Sequence, residues 1–446
     1  MPGSRISNFI ASRGSMPRKL LSKFLRERRV GLNYAPGHVD DGWATPPPVT
    51  LADGSTVQLM KDGESLKHAY DAISAAKSRV CLEFYIWDND ATGRAFAELL
   101  EKKAREGVRV YVMYDSFGVI TGNDRTMFQQ LRRAGAHVSE FHPIRPWESN
   151  FAWKPYCRDH RKVVVVDDHY AMIGGHNIAD AYAGSWVAAN DLQPNQLWRD
   201  TALAVTGPAT RHFLWSFVRT WRYLHHGGRI VRAMHVGGLR LPESPKGPRV
   251  GKAKFRNSTP GPALEPQSLG VLATVPTLAS PLRPLLHNLI RRSTSNIRMT
   301  MAYFAPDDEL IGELCAAAGR GVKVQLMFGA KSDLPIMVTA ARAFYERLLC
   351  NKVEIYERQH VILHAKSITV DDETAIIGST NLDYRSIEFN CEISAAVRSP
   401  EFAAQVNALF DHDVKYARRI LHDAWRHRHW RDKFMQFAIS RVRYLL

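Results

Sequence analysis

The stretches DHRKVVVVDDHYAMIGGHN (residues 159–177) and LHAKSITVDDETAIIGSTN (residues 363–381) are two versions of one pattern. Each sets a histidine two residues before a lysine and seven before an aspartate: His160, Lys162 and Asp167, then His364, Lys366 and Asp371. A glycine follows each histidine by 14 residues (Gly174, Gly378) and an asparagine by 17 (Asn177, Asn381). Side chains at i and i+2 of a strand share a face. His160 and Lys162 therefore present an imidazole beside an ammonium, with Val163 and Val165 on the opposite face. One such pair is what any strand with a polar face shows; two with matched Gly and Asn imply a duplicated unit.

Working outward, EGVRVYVMY (106–114) parallels RGVKVQLMF (320–328), and RVCLEFYIWDND (79–90) parallels NIRMTMAYFAPDD (296–308). Ala/Leu-rich segments of helical character, RAFAELLEKKA and DELIGELCAAA, precede the first pair. Each half thus reads strand, helix, strand, helix, then a hairpin carrying the His-x-Lys. Strands alternating with helices predict an α/β sandwich containing parallel strands. We divide the chain into a basic N-terminal segment (1–46), a first lobe (47–238), a Pro/Gly-rich linker or loop (239–266), a second lobe (267–412) and a basic tail (413–446).

The 446 residues are enough for two or three cores. A formal net charge of +16 calls for a polyanionic partner, a nucleic acid or an anionic membrane surface. Five scattered cysteines without a C-x-x-C pair argue against a disulfide framework or zinc site and favour a reducing compartment. No apolar run reaches the roughly 18 residues of a transmembrane helix, and the N-terminus lacks the apolar core of a secretory signal. Both ends are basic: residues 1–30 hold eight Lys/Arg against one acid, and residues 415–446 hold nine against two. In the tail, Ala417, Ile420, Leu421, Ala424 and Trp425 recur at helical spacing, followed by Phe434, Phe437 and Ala438. A basic amphipathic helix with aromatics reads either as a membrane-surface element or as a terminal helix docked on the domain with a solvated basic face, and the shared pattern at both ends favours the membrane.

Lysine between the histidine and the aspartate disfavours a metal site, and no metal-ligand spacing accompanies it. A phosphodiester fits better. Lys162 and Lys366 can clamp its non-bridging oxygens, while one histidine attacks phosphorus and the other protonates the leaving alkoxide. In-line displacement has two ends, which explains the duplication. Each histidine also needs an orienting acid. Glu392 follows His364 by 28 residues at the start of EISAAV, and Asp200 follows His160 by 40 at the start of DTALAV. The surplus falls in YAGSWVAANDLQPNQLW, which reads as an inserted loop beside the site. Gly174 permits close backbone approach; Asn177 and Asn381 can donate to phosphate oxygen. Asp167 and Asp371 fall in turns that aspartate normally forms. His176, His225, His226, His422, His427 and His429 read as surface or packing residues.

The twice-repeated H-x-K-x4-D, with GGHN and GSTN downstream, resembles the phospholipase D superfamily over about residues 55–412. The stretches EFYIWDNDATG, AYFAPDDEL and LHAKSITVDDETAIIGSTNLDYRSIEFNCE are similar to its bacterial cardiolipin synthases. The resemblance implies two similar phospholipase D-like α/β lobes with one active site at their pseudo-two-fold interface. It also implies metal-independent, cofactor-free transfer of a phosphatidyl group through a phosphohistidine. Carried over, His160, Lys162, Asp167, His364, Lys366 and Asp371 are catalytic, with His160 the nucleophile and His364 the acid/base. Asn177 and Asn381 are phosphate-site residues, and Glu392 orients His364. The implied substrate is phosphatidylglycerol or another phospholipid, with release of glycerol, and the implied place is the cytoplasmic face of the inner membrane, held peripherally.

Many of these synthases carry paired N-terminal transmembrane helices, which this sequence is not expected to form; further departures are the Pro-rich linker and CNKVEIY (350–356) in place of an Ala-Gly-Val-type turn. Phospholipid hydrolysis without transfer, and cleavage of nucleic acid, use the same triplets. The NLDYRSIEFN segment and the absence of an aromatic–basic track in the body favour lipid, so no nucleic-acid partner is expected. A non-catalytic adaptor would be expected to have lost one of the four His/Lys residues, and all are present.

Overall fold

The computed structural model describes residues 42–119, 125–144, 147, 156–184, 186, 198–226, 235–236, 239–240, 264–274, 280–442 and 444. The basic segment at residues 1–30, nearly all of the 239–266 linker and most of the inserted loop lie outside the described residues.

Two eight-stranded mixed sheets carry the fold. The first runs, in spatial order, Val49–Thr50, Thr56–Lys61, Thr201–Thr206, Tyr170–Gly174, Val163–Val166, Arg79–Phe84, Arg109–Asp115 and His137–Phe141. The second runs Ser268–Ala273, Ile393–Arg398, Thr374–Gly378, Lys366–Val370, Asn296–Met301, Lys323–Gly329, Glu354–Arg358 and Ala417–Ile420. Seven strands correspond in order; the eighth is added at opposite edges. The last three strands of the shared order are parallel in each sheet, joined through helices, and the rest are antiparallel.

Matching local signals set the crossover helices. Asp90 accepts from the Gly93 amide at 2.9 Å to open Ala91–Arg105, and Lys102, Lys103 and Arg105 crowd its last turn, where they complement the helix dipole. Asp307 likewise caps Asp308–Gly319 through the Leu310 amide at 2.9 Å. Phe96, Leu99 and Leu100 face one side of the first sheet; Leu310, Ile311 and Leu314 face the second.

The four valines divide between two cores. Val164 and Val166 join the outer cluster beneath the crossover helices, while Val163 and Val165 join a central cluster. A strand buried on both faces reads as a continuous apolar run, and each valine contributes roughly 1.5–3 kcal/mol. That central cluster holds both lobes together. It combines Ile173, Leu203 and Val205 with Ile377, Ile393 and Val397, and with the helices Thr210–His225 and Pro400–Val414. Arg199 of the first lobe adds a buried ion pair to Asp413 at 2.7 Å.

The tail departs from the expected continuous helix. Ala417–Ile420 is an edge strand, antiparallel to Glu354–Arg358, with Arg418 on Glu357 and Arg419 on Glu354, both at 2.9 Å. The exposed edge of Glu354–Arg358 offered backbone partners, and these outweighed the helical spacing of the apolar residues. Two helices follow, His422–Arg426 and Trp430–Val442. The second buries Ile439 near Met337 and Ala340 and leaves Trp430, Phe434 and Phe437 exposed. Among the described residues, no helix is long and apolar enough to cross a membrane.

Candidate active site

His160 and Lys162 immediately precede the strand Val163–Val166; His364 precedes Lys366, which opens Lys366–Val370. All four side chains are buried. The two imidazoles face each other across the lobe interface with ring centroids 6.5 Å apart. This gap admits one phosphorus, so the duplicated motifs build a single site. Lys162 Nζ donates to the His160 carbonyl at 2.6 Å, and Lys366 Nζ donates likewise to that of His364. The loop backbone thereby fixes each ammonium beside its own histidine.

The acids are exchanged between lobes. Glu392 lies 3.1 Å from His160 Nδ1, and Asp200 lies 2.7 Å from His364 Nδ1. This reverses the pairing of Glu392 with His364 expected from the sequence. The cause is backbone pairing across the interface. His160 N donates to the Cys391 carbonyl at 2.9 Å, and His364 N donates to the Arg199 carbonyl at 2.8 Å. The residue that anchors each histidine therefore directly precedes an acid of the opposite lobe. With Nδ1 tied to a carboxylate, Nε2 is the nitrogen available for chemistry.

Burial depresses His160 against the opposing pull of Glu392. It also takes His364 down to about 4, helped by Lys366 and resisted by Asp200. Lys162 falls to about 7 and Lys366 to about 8, again through burial, with Glu392 and Asp200 countering. For the acids, burial alone would raise the pKa. His176, His364 and Lys366 outweigh it at Asp200, and His160 and Lys162 do so at Glu392, so both are held below their usual range. With both acids and both lysines charged and both imidazoles neutral, the cluster is balanced. A bound phosphodiester monoanion leaves room for one further proton.

The expected aspartates lie away from the histidines. Asp167 accepts from the backbone amides of Lys77, Ser78 and Arg79 at 2.6–2.8 Å. Asp371 does the same for Thr294, Ser295 and Asn296 at 2.8–3.2 Å. Both lie at the far end of their strands, five residues or roughly 16 Å of extended chain beyond the lysines. Asn177 accepts from Ile86 N at 3.1 Å and gives its amide to Tyr182 Oη at 2.8 Å; Asn381 accepts from Tyr303 N at 3.4 Å. The asparagines thus tie each motif to the loop after the lobe's first strand of the Arg79–Phe84 type. Gly174 meets its neighbour closely: a Cβ there would lie 2.6 Å from the Thr201 carbonyl.

Other neighbours of the histidines escaped the sequence reading. Tyr85 packs on His160 at 5.0 Å, and Trp198, Tyr182 and Tyr303 surround His364 at 5.3, 5.6 and 6.4 Å. Ser379 Oγ donates to Glu392. At its counterpart Gly175, a Cβ would strike the Asp200 carboxylate. His176, read as a surface or packing residue, is buried beside Asp200. The GGHN against GSTN mismatch was the one available signal for these differences.

A family profile described as the cardiolipin synthase, phospholipase D-like domain matches residues 70–187 and 286–414. Cardiolipin synthase A of Pseudomonas entomophila is 33% identical over 368 residues, covering 82% of this chain and 69% of that protein. The cardiolipin synthase of Geobacillus kaustophilus is 29% identical, covering 89% and 72%. Among solved structures, phosphatidylserine synthase of Haemophilus influenzae superposes with a TM-score of 0.63 at 14% identity, covering 90% of this chain and 97% of that one. Polyphosphate kinase of Porphyromonas gingivalis gives 0.52 at 16% identity, covering 90% and 56%. These two share the fold. With the paired His-Lys motifs meeting in one site, the chain belongs to the cardiolipin synthase family of phospholipase D-like phosphatidyltransferases.

Proposed function

We propose that this chain moves a phosphatidyl group from phosphatidylglycerol to the hydroxyl of a second phospholipid, with free glycerol as the other product. The carrying observation is the facing pair of imidazoles, each anchored through Nδ1 to an acid of the opposite lobe and flanked by a buried lysine. Following the resemblance, His160 Nε2 attacks phosphorus and the P–O bond to glycerol breaks. His364 Nε2 gives its proton to the departing alkoxide, leaving a phosphatidyl-histidine and a neutral His364. The incoming lipid hydroxyl then loses its proton to His364 as its oxygen displaces His160. The short contact between Asp200 and His364 suits this role, because an ionised carboxylate stabilises the imidazolium.

Burial lowers His364 to about 4, so the imidazole needs added negative charge beside it to hold a proton, and the bound phosphodiester anion supplies that charge. Lys162 and Lys366 hold the non-bridging oxygens as charge builds in the five-coordinate transition state. The aromatic side chains around both imidazoles favour transfer over hydrolysis by limiting water near the phosphohistidine. The protein works at an anionic phospholipid surface, with no metal or cofactor in the transfer step and no nucleic-acid partner.

Purified protein is incubated with phosphatidylglycerol vesicles and EDTA, beside His160→Ala and His364→Ala, and the lipids are separated by chromatography. Cardiolipin and glycerol from the wild type alone are expected. Phosphatidic acid as sole product would make the chain a hydrolase, and product from both variants would remove the two-histidine mechanism.

A further inference from the structure

The CNKVEIY stretch that departs from the family pattern places Cys350 at the end of the helix Tyr345–Cys350. Glu346, four residues earlier, lies on the same face. The chain then forms Glu354–Arg358, whose edge partner Ala417–Ile420 returns in antiparallel register, Ile355 opposite Ile420. That register brings the next helix, His422–Arg426, back beside Cys350. Cys350 Sγ is 3.2 Å from His422 Nε2, and the same nitrogen is 3.6 Å from Glu346 Oε1. The three donor atoms all lie within 4.8 Å of one another.

Zinc binds thiolate at about 2.3 Å and imidazole or carboxylate at about 2.0–2.2 Å, in a tetrahedron. Such a tetrahedron has S···N edges of roughly 3.6 Å and N···O edges of roughly 3.3 Å. The two contacts match these edges within a few tenths of an ångström. A thiolate, an imidazole and one carboxylate select zinc over magnesium or calcium, which take oxygen ligands. Arg428 Nη1 holds Glu346 Oε2 at 2.8 Å, leaving Oε1 toward the site. Cys350 is exposed, which gives an ion a path in and water a fourth position.

We propose that Glu346, Cys350 and His422 form a zinc site, separate from the active site, that clasps the C-terminal segment to the second lobe. Binding replaces the Cys350 thiol proton with zinc and releases that proton to solvent, so affinity rises with pH. The clasp sits at the root of the segment bearing Trp430, Phe434 and Phe437. It reinforces the packing of Trp425 on Tyr345 at 4.9 Å.

The test uses full-length protein stripped with chelator, then titrated with zinc, with cobalt as the optical probe. The expected results are one tight site per chain and a thiolate-to-cobalt charge-transfer band. The thermal midpoint is expected to rise by a few degrees at roughly 100-fold excess over Kd. The other four cysteines are buried, so the band reports Cys350. Cys350→Ser should abolish it. His422→Ala should weaken zinc by more than the roughly 10–100-fold cost of losing an outer partner, and His364→Ala should change neither. No tight zinc site, or zinc held equally by Cys350→Ser and His422→Ala, would overturn the proposal. Lipid turnover in EDTA is read separately, so this site and the transfer chemistry fail independently.

Discussion

Lys162 and Lys366 are ammonium groups taken out of water, and their depressed pKa values make the site's charge depend on pH near neutrality. A basic group with a lowered pKa is charged below that value and neutral above it. With Lys162 at about 7 and Lys366 at about 8, kcat/KM for a short-chain soluble phosphatidylglycerol should begin to fall near pH 7 and steepen above 8. Bound anion raises both values, so the alkaline limb of kcat should lie at higher pH than that of kcat/KM. Coincident limbs would show that the lysines do not sense the substrate's charge. The exchanged acids give a second expectation. Asp200→Asn should perturb the ring titration of His364, and Glu392→Gln that of His160, read by histidine NMR, with kcat falling roughly 10²–10⁴-fold in each. The reverse pattern would restore within-lobe pairing. His160, Lys162, His364 and Lys366 were legible because side-chain chemistry and spacing repeat together. The acids' partners were not, because chain separation says nothing about which strand crosses the interface. The aromatic neighbours carried no repeated spacing at all.

The two hairpins show what an aspartate does away from the chemistry. Asp167 and Asp168 have φ of 50° and 56°, and Asp371 and Asp372 both have 54°. His169 N bonds to the Val166 carbonyl at 3.0 Å, and Glu373 N to that of Val370 at 3.1 Å. Two consecutive left-handed residues make tight turns of type I′, which aspartate tolerates and most residues do not. The first aspartate of each pair then gathers the amides that open the neighbouring strand. Asp167→Ala loses those bonds and strains the turn, at a cost of about 1–3 kcal/mol. Asn, which accepts with one oxygen and tolerates the left-handed region, should cost less. Denaturant melts should rank wild type above Asn above Ala, with kcat per folded molecule within about twofold. A large loss of kcat in a fully folded Asp167→Ala protein would return the residue to the chemistry. Hairpins and crossover helices were readable from turn residues and apolar periodicity. The edge strand Ala417–Ile420 was not, because its pairing depends on an unfilled sheet edge formed more than 50 residues earlier.

The duplicated halves were visible in the sequence, but their fusion through one apolar layer was not, since inner and outer faces of a doubly buried strand look alike. Ile173, Leu203, Ile377 and Ile393 belong to one cluster, so neither lobe has a complete core alone. Unfolding should therefore appear as a single calorimetric transition; two separated transitions would make the lobes independent. The molecule's charge bears on how it meets its substrate. On the proposed function, a net charge of +16 would attract the protein to phosphatidylglycerol surfaces by about 1 kcal/mol for each basic residue close to the headgroups. Trp430, Phe434 and Phe437 are exposed, and at such a surface they would add an apolar contribution that salt does not screen. Screening length falls from about 8 Å at physiological ionic strength to about 3 Å at 1 M. High salt should then weaken binding to phosphatidylglycerol vesicles by more than tenfold, while turnover of a soluble short-chain substrate changes far less. Replacing the three aromatics with alanine should remove most of the binding that persists at 1 M salt. Equal losses of vesicle binding and soluble turnover would mean that salt acts on the buried lysines rather than on the surface, and the basic segments would no longer be the anchor.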